Sequence, residues 1–257
     1  MKKTALITGA SSGLGVEFAK LFAQDGYDLV LIARREERLE KLAKELHQNF
    51  GIKSHIITKD LSNPRAPEEI FEELNQQSVL IHALVNNAGT QVYGKFQETD
   101  LTKQIQMLQI NLMALTSLTK LTIDQMLANH IKGKILQIGS TGSFMPVPLN
   151  SPYCGSKAYV LNFADGISND LKGTGITITT LCPGATRTEF STKAGMDDTL
   201  VFKFMVMKAS EVAKIGYKAM QKGKLSVVAG LYNKIMVFSI RFLPRSLVVW
   251  MGRYFLR

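Results

Sequence analysis

The chain has 257 residues, of which 46% are hydrophobic, with two cysteines and four histidines. That length supports one domain with a large core. Cys154 and Cys182 cannot build a disulfide framework, and His47, His55, His82 and His130 show no ligand spacing, so no metal site is expected.

The net charge of +10 is unevenly placed: eleven of the 31 basic residues, but only one of the 21 acidic ones, lie from Thr199 onward. The asymmetry points to an acidic partner, substrate or surface met by the C-terminal part. No signal peptide is expected, because Met1-Lys2-Lys3 is followed by a short apolar run that Gly9 breaks. The longest charge-free run, Ile135 to Ser156, holds three prolines and many polar residues, which argues against a membrane span. A reducing cytoplasmic location is the expectation.

Thr4 to Thr8 reads as a buried strand. The turn Gly9-Ala10-Ser11-Ser12-Gly13-Leu14-Gly15 follows, then an amphipathic helix to about Gln24 with Phe18, Leu21 and Phe22 inward. Strand, glycine-rich turn and helix together let backbone N–H groups approach a pyrophosphate at the helix N-terminus. Gly9, Ser11, Ser12, Gly13, Leu14 and Gly15 are the cofactor-binding candidates of this turn. Asp28 to Ala33 is a second strand, ending in Arg34-Arg35. An acid at this place in a dinucleotide fold binds the 2′-hydroxyl of NAD, whereas an arginine accommodates the 2′-phosphate of NADP. Arg34 therefore argues for NADP(H) over NAD(H); the other reading is that both arginines simply open the charged helix Glu36 to Phe50.

Lys53 to Thr58 is a third strand, with Asp60 and Leu61 after its end. Pro67 to Gln77 is a helix whose Glu68 and Glu69 suit the N-terminal dipole. Ala83 to Asn86 is a fourth strand running into Asn87-Ala88-Gly89. Asp100 to about Ile131 is a long helical stretch with room for one break. Asn111 lies in its middle, where asparagine is a poor helix former.

Lys134 to Ile138 is a fifth strand, ending in a hydroxyl-rich turn that begins Gly139-Ser140. A helix then runs from about Ser151 to Leu171, opened by Pro152 and carrying Tyr153 and Lys157 one turn apart on one face. An ammonium beside a phenol favours the phenolate, so the pair predicts a Tyr153 tuned downward as an acid and base. Cys154, between them, is expected to point away. Thr177 to Leu181 is a sixth strand, ending at Cys182-Pro183-Gly184. Ser210 to Lys222 is a helix and Leu225 to Val228 a seventh strand. The alternation predicts one doubly wound α/β domain over residues 1–257. Its strand ends, with Arg34, Asp60, Asn87, Ser140 and Pro183, would share one cleft.

In combination, Thr8-Gly9-x3-Gly13-x-Gly15, Asp60, Asn86-Asn87-Ala88-Gly89, Asn111, Ser140, Tyr153-x3-Lys157 and Pro183-Gly184 with Thr188 resemble the short-chain dehydrogenase/reductase family over about residues 4–230. The resemblance implies a Rossmann-like domain with a seven-stranded parallel sheet flanked by helices. It also implies hydride transfer between NADP(H) and a carbonyl or secondary alcohol. Tyr153 would be the acid or base, and Lys157 would hold the nicotinamide ribose and tune Tyr153. Ser140 would bond the substrate oxygen, and Asn111 would position a proton-relaying water. Asp60 and Leu61 would meet the adenine, Asn87, Ala88 and Gly89 the adenosine side, and Pro183, Gly184, Thr186 and Thr188 the nicotinamide. An NADP(H)-binding sensor or scaffold is the alternative from another class. No nucleic-acid motif is present.

Residues 185–209 read as a substrate lid, with Phe190, Met196, Phe202, Phe204, Met205 and Met207 suited to an apolar, acyl-chain or steroid-like substrate. The tail 232–257 is apolar and basic together, with Pro244 separating two short helices. It packs on protein as an oligomer interface of a dimer or tetramer, covers the active site, or contacts a membrane peripherally.

Overall fold

A computed structural model of the chain describes residues 2–190, 195, 199 and 206–255. Strands β1 (Thr4–Thr8), β2 (Asp28–Ala33), β3 (Ser54–Thr58) and β4 (Ala83–Asn86) alternate with helices α1 (Gly13–Gln24), α2 (Glu36–Phe50) and α3 (Ala66–Gln76). Helices α4 (Leu101–Leu108) and α5 (Leu115–Ala128) precede β5 (Lys134–Ile138), and α6 (Ser151–Asp170) leads to β6 (Thr177–Cys182). Then come the short β7 (Thr186–Arg187) and β8 (Met207–Lys208), α7 (Ala209–Gln221), β9 (Ser226–Val228), α8 (Leu231–Ser239) and α9 (Arg245–Phe255).

Seven strands form one parallel sheet in the order β3-β2-β1-β4-β5-β6-β9. The chain winds outward from β1 to β3, then returns to set β4 on the other side of β1. That reversal opens a crevice at the carboxyl ends of the strands. Both faces of the sheet are covered, which is why β1 and β2 read as unbroken apolar runs. Successive side chains go to opposite faces: Ala5 and Ile7 pack with Phe18, Phe22, Leu39 and Val212, while Leu6 packs with Ile70, Leu74, Leu118 and Met126.

The helix ends follow local chemistry. Asp100 caps α4 by accepting from the Lys103 N–H. Gly51, at φ +65°, ends α2 with its N–H on the His47 carbonyl.

Two features sharpen the expectations. The long helix is broken by a π-helical turn at Gln109–Ala114, with Asn111 inside it; such turns occur where a side chain is engaged elsewhere. The segment expected as a lid is bracketed by a two-stranded parallel pair, β7 with β8, held by Met207 N–H to the Ala185 carbonyl at 3.0 Å. Met196, Phe202, Phe204 and Met205 lie outside the described residues; Phe190 and Met207 lie within them.

Candidate active site

The carboxyl ends of the strands border a cleft of about 470 Å³. Of the predicted site residues, all but Gly15 and Asn111 line it. Gly15 sits beneath the turn, where a Cβ would lie 2.3 Å from the Gly9 carbonyl oxygen, so only glycine lets α1 start this close to β1. Gly13 is in the left-handed region at φ +56°, and a Cβ there would press on Thr188 at 3.0 Å. Helix α1 begins without a side-chain cap at Ser12, the arrangement in which first-turn N–H groups serve a phosphate.

Thr8 knits β1 to β4: its hydroxyl accepts from the N–H groups of Asn87 (3.0 Å) and Ala88 (2.9 Å). The Asn87 side chain returns the link by donating to the carbonyls of Thr8 and Gly9. Asn87 therefore rigidifies the floor of the cleft as well as lining it.

At one end stand Ser11, Arg34, Arg35 and Asp60. Arg34 is mostly exposed and meets Asp60 at 3.5 Å. Burial pushes the Asp60 carboxyl up, but the Ser62 hydrogen bonds and the Arg34 charge outweigh it and hold the group below its ordinary range. Arg35 is the better anchored arginine. It donates to the Ser11 hydroxyl through Nε (3.3 Å) and Nη2 (3.1 Å), and to Glu189 through Nη1 at 2.8 Å. Arg38 binds the other oxygen of Glu189. Hydrogen bonds from Arg38 and Arg35 hold the Glu189 carboxyl down at about 2. Neither Arg35 nor Glu189 was among the predicted site residues. The arginine was legible beside Arg34; the glutamate, 154 residues further along, was not.

At the other end Ser140, Tyr153 and Lys157 converge. Ser140 caps the short turn Thr141–Ser143, its hydroxyl accepting from the Gly142 N–H at 3.1 Å. Lys157, on α6, is buried and donates to the Ile138 carbonyl at 2.7 Å, with its Nζ 5.7 Å from the centre of the Tyr153 ring. The Phe190 ring lies tilted against that ring, with centroids 5.9 Å apart. The pKa expectation for Tyr153 is reversed. Burial drives the phenol above its ordinary range, and only the hydrogen bond with Ser140 pulls the other way. Burial also lowers Lys157 to about 8. Desolvation disfavours both charged forms and sets the direction of both shifts.

Asn111 is fully buried one layer behind. Its Oδ1 accepts from the Thr90 N–H (3.0 Å), and its Nδ2 donates to the Thr90 carbonyl (2.9 Å) and the Ser156 hydroxyl (3.1 Å). Ser156 in turn donates to the Tyr153 carbonyl at 2.6 Å, so Asn111 reaches Tyr153 through the backbone of α6. Cys154 does not point away: it is buried, lines the cleft and packs with Val147, Met145 and Tyr153. Burial pushes its thiol up to about 11, which leaves it a neutral packing group.

A doubly wound parallel sheet with this cleft at its switch point is a nucleotide-binding α/β scaffold of the Rossmann kind. Residues 3–199 match the family described as short chain dehydrogenase, and the chain belongs to that family of oxidoreductases. It is 33% identical over 221 residues to sulfoacetaldehyde reductase 2 of Chromohalobacter salexigens, covering 84% of this chain and 87% of that protein. It is 34% identical over 184 residues to the very-long-chain 3-oxoacyl-CoA reductase of Schizosaccharomyces pombe. That match covers 68% of this chain and spans about half of the yeast protein, 53%. Among solved structures, a short-chain dehydrogenase from Sphingobium yanoikuyae in complex with NADPH superposes with a TM-score of 0.84 at 31% identity, over 95% of this chain and 94% of that one.

Proposed function

We propose that the protein reduces an apolar ketone or aldehyde with NADPH, with Tyr153 as the proton donor. The observation that carries this reading is the convergence of Ser140, Tyr153 and Lys157 at one end of a cleft whose other end holds Ser11, Arg34 and Arg35. The cleft suits a dinucleotide: its glycine turn has no room for side chains, and its arginine end suits a 2′-phosphate. The Sphingobium relative is described in complex with NADPH, which supports the same choice here. When bound, the nicotinamide supplies or accepts the hydride.

Each residue then has a task. Ser11, Ser12, Gly13 and Leu14 cradle the phosphates, with Gly9 and Gly15 giving the turn its closeness. Arg34, Asp60 and Leu61 meet the adenosine, beside Asn87, Ala88 and Gly89. Pro183, Gly184, Thr186 and Thr188 border the nicotinamide, and Lys157 holds its ribose. Ser140 donates to the substrate oxygen, and Tyr153 delivers a proton to that oxygen as negative charge builds there. A phenol kept neutral by burial is in the protonated form that reduction requires. Asn111 positions Ser156 and, through it, the start of α6.

The substrate end is walled by Met145, Val147, Phe190, Met236, Val248 and Met251. Among the described lining residues its only cation is Lys157, which argues for an apolar carbonyl rather than a sulfonate such as the Chromohalobacter enzyme's named substrate. Within a single domain spanning 1–257, the described part of the expected lid segment 185–209 that borders this wall is Ala185 to Phe190, through Ala185, Thr186, Thr188, Glu189 and Phe190.

The test is an NADPH-oxidation screen over apolar ketones, aldehydes and 3-oxoacyl thioesters, with NADH run beside it. Turnover with an apolar carbonyl and a preference for NADPH are expected. Binding of NADPH without turnover of any class would move the assignment to a cofactor-binding sensor.

A further inference from the structure

The helices α8 and α9 each carry two apolar faces. The inner one closes the cleft: Tyr232, Met236 and Ile240, then Val248 and Met251, line it, while Val237 and Val248 are buried. The outer one faces solvent. Leu231, Ile235, Phe238 and Phe242 recur at spacings of four, three and four, and Leu247, Trp250 and Tyr254 at three and four, the spacing of a single helical face. Phe242 is 73% exposed and Trp250 64%. The aromatic groups pair along this surface, Phe238 with Phe242 at 5.3 Å and Trp250 with Tyr254 at 6.1 Å. Lys234, Arg241, Arg245 and Arg253 stand exposed among them, and no acidic residue follows Glu211 in the sequence.

We propose that this outer face docks peripherally on an anionic lipid surface. Large apolar side chains interleaved with cations, and no acid among them, match the boundary between acyl chains and negative headgroups. A second copy of the chain fits less well. In a two-fold interface the patch would meet itself, bringing the four cations of one copy against those of the other. A span is not available either, since no helix among the described residues is long and apolar enough to cross a membrane. The proposal does not depend on the reaction assigned above.

Trp250 is the only tryptophan of the chain, so its emission reports on this face alone. The full-length protein is mixed with vesicles of phosphatidylcholine, or of phosphatidylcholine with phosphatidylglycerol, and followed by co-sedimentation and Trp250 fluorescence. Binding with a blue shift on the anionic vesicles is expected, weak on the neutral ones and reduced by salt. The charge reversals Arg241→Glu and Arg245→Glu together weaken binding at least about tenfold. The pair Phe238→Ser and Phe242→Ser removes the blue shift, with NADPH binding and the circular dichroism spectrum confirming that the variants are folded. No binding to either vesicle by the full chain overturns the proposal. So does a concentration-dependent blue shift of Trp250 without lipid, accompanied by a dimer that the Phe238 and Phe242 changes dissociate, because the face then belongs to a second copy.

Discussion

The Lys157 ammonium donates to the Ile138 carbonyl at 2.7 Å, which ties the amine to the carboxyl end of β5. The bond fixes where the charge sits but does not repay its burial, and Lys157 falls from 10.5 to about 8. Between those two values the unfolded chain holds a proton that the folded chain has released. This group therefore makes stability rise with pH from about 8 toward 10.5. Cofactor binding is expected to move the other way, since the charge proposed to hold the ribose is lost above about 8. NADPH dissociation constants measured from pH 6.5 to 9.5 should rise on the alkaline side of ~8. In Lys157→Met binding is weaker and that limb is gone; an unchanged limb would assign it to another group.

Asn111 holds both the N–H and the carbonyl of Thr90 as well as the Ser156 hydroxyl. Asn111→Ala takes this partner from the buried Ser156 hydroxyl and the half-buried Thr90 backbone and should cost about 1–3 kcal/mol of stability. Thermal denaturation checks this directly. Activity measured well below the melting temperature should also fall, because α6 begins with Tyr153 two residues from its start. A variant as stable as the parent would mean that the π turn does not depend on this amide.

The two arginines after β2 differ in engagement, and this sets their expected effects. Arg34, largely exposed and only loosely paired with Asp60, is free to meet a 2′-phosphate. Arg34→Ser should lower the NADPH-to-NADH ratio of kcat/KM about tenfold, the scale of one charge-assisted contact. Glu189→Gln withdraws the anion that occupies Arg35 and Arg38 and should move the same ratio in favour of NADPH. If neither substitution shifts it, the phosphate is recognised elsewhere.

Gly15→Ala places a methyl group 2.3 Å from the Gly9 carbonyl oxygen, in backbone that cannot retreat. The expected result is loss of NADPH binding together with a drop in melting temperature, read by calorimetry with and without the nucleotide. Intact nucleotide stabilisation in this variant would show that the turn is looser than its packing implies.

The fold was legible because its signals are local. Apolar runs of strand length, the glycine turn before α1 and Pro152 at the start of α6 each announce an element within a few residues. The Tyr153 and Lys157 pair was legible for the same reason, being one helical turn apart. What escaped depends on distant partners. The π turn needs Thr90 and Ser156, 21 and 45 residues from Asn111, and Glu189 joins Arg35 across 154. The direction of the Tyr153 shift was misread because spacing reports the ammonium, whereas burial is set by the whole cleft wall. That the tail covers the cleft was among the readings of its sequence; which of its residues turn inward was not legible, since one helix carrying two apolar faces has no simple period.

The role proposed for Tyr153 is to give its proton to the substrate oxygen. Tyr153→Phe keeps the ring that neighbours Lys157 and Phe190 and removes only the hydroxyl. Single-turnover rates with NADPH and the best carbonyl of the screen, beside NADPH affinity on the same sample, measure the two roles apart. Unchanged affinity and a rate at least about a hundredfold lower are expected. A rate within a factor of about two of the parent, at full nucleotide occupancy, would contradict it.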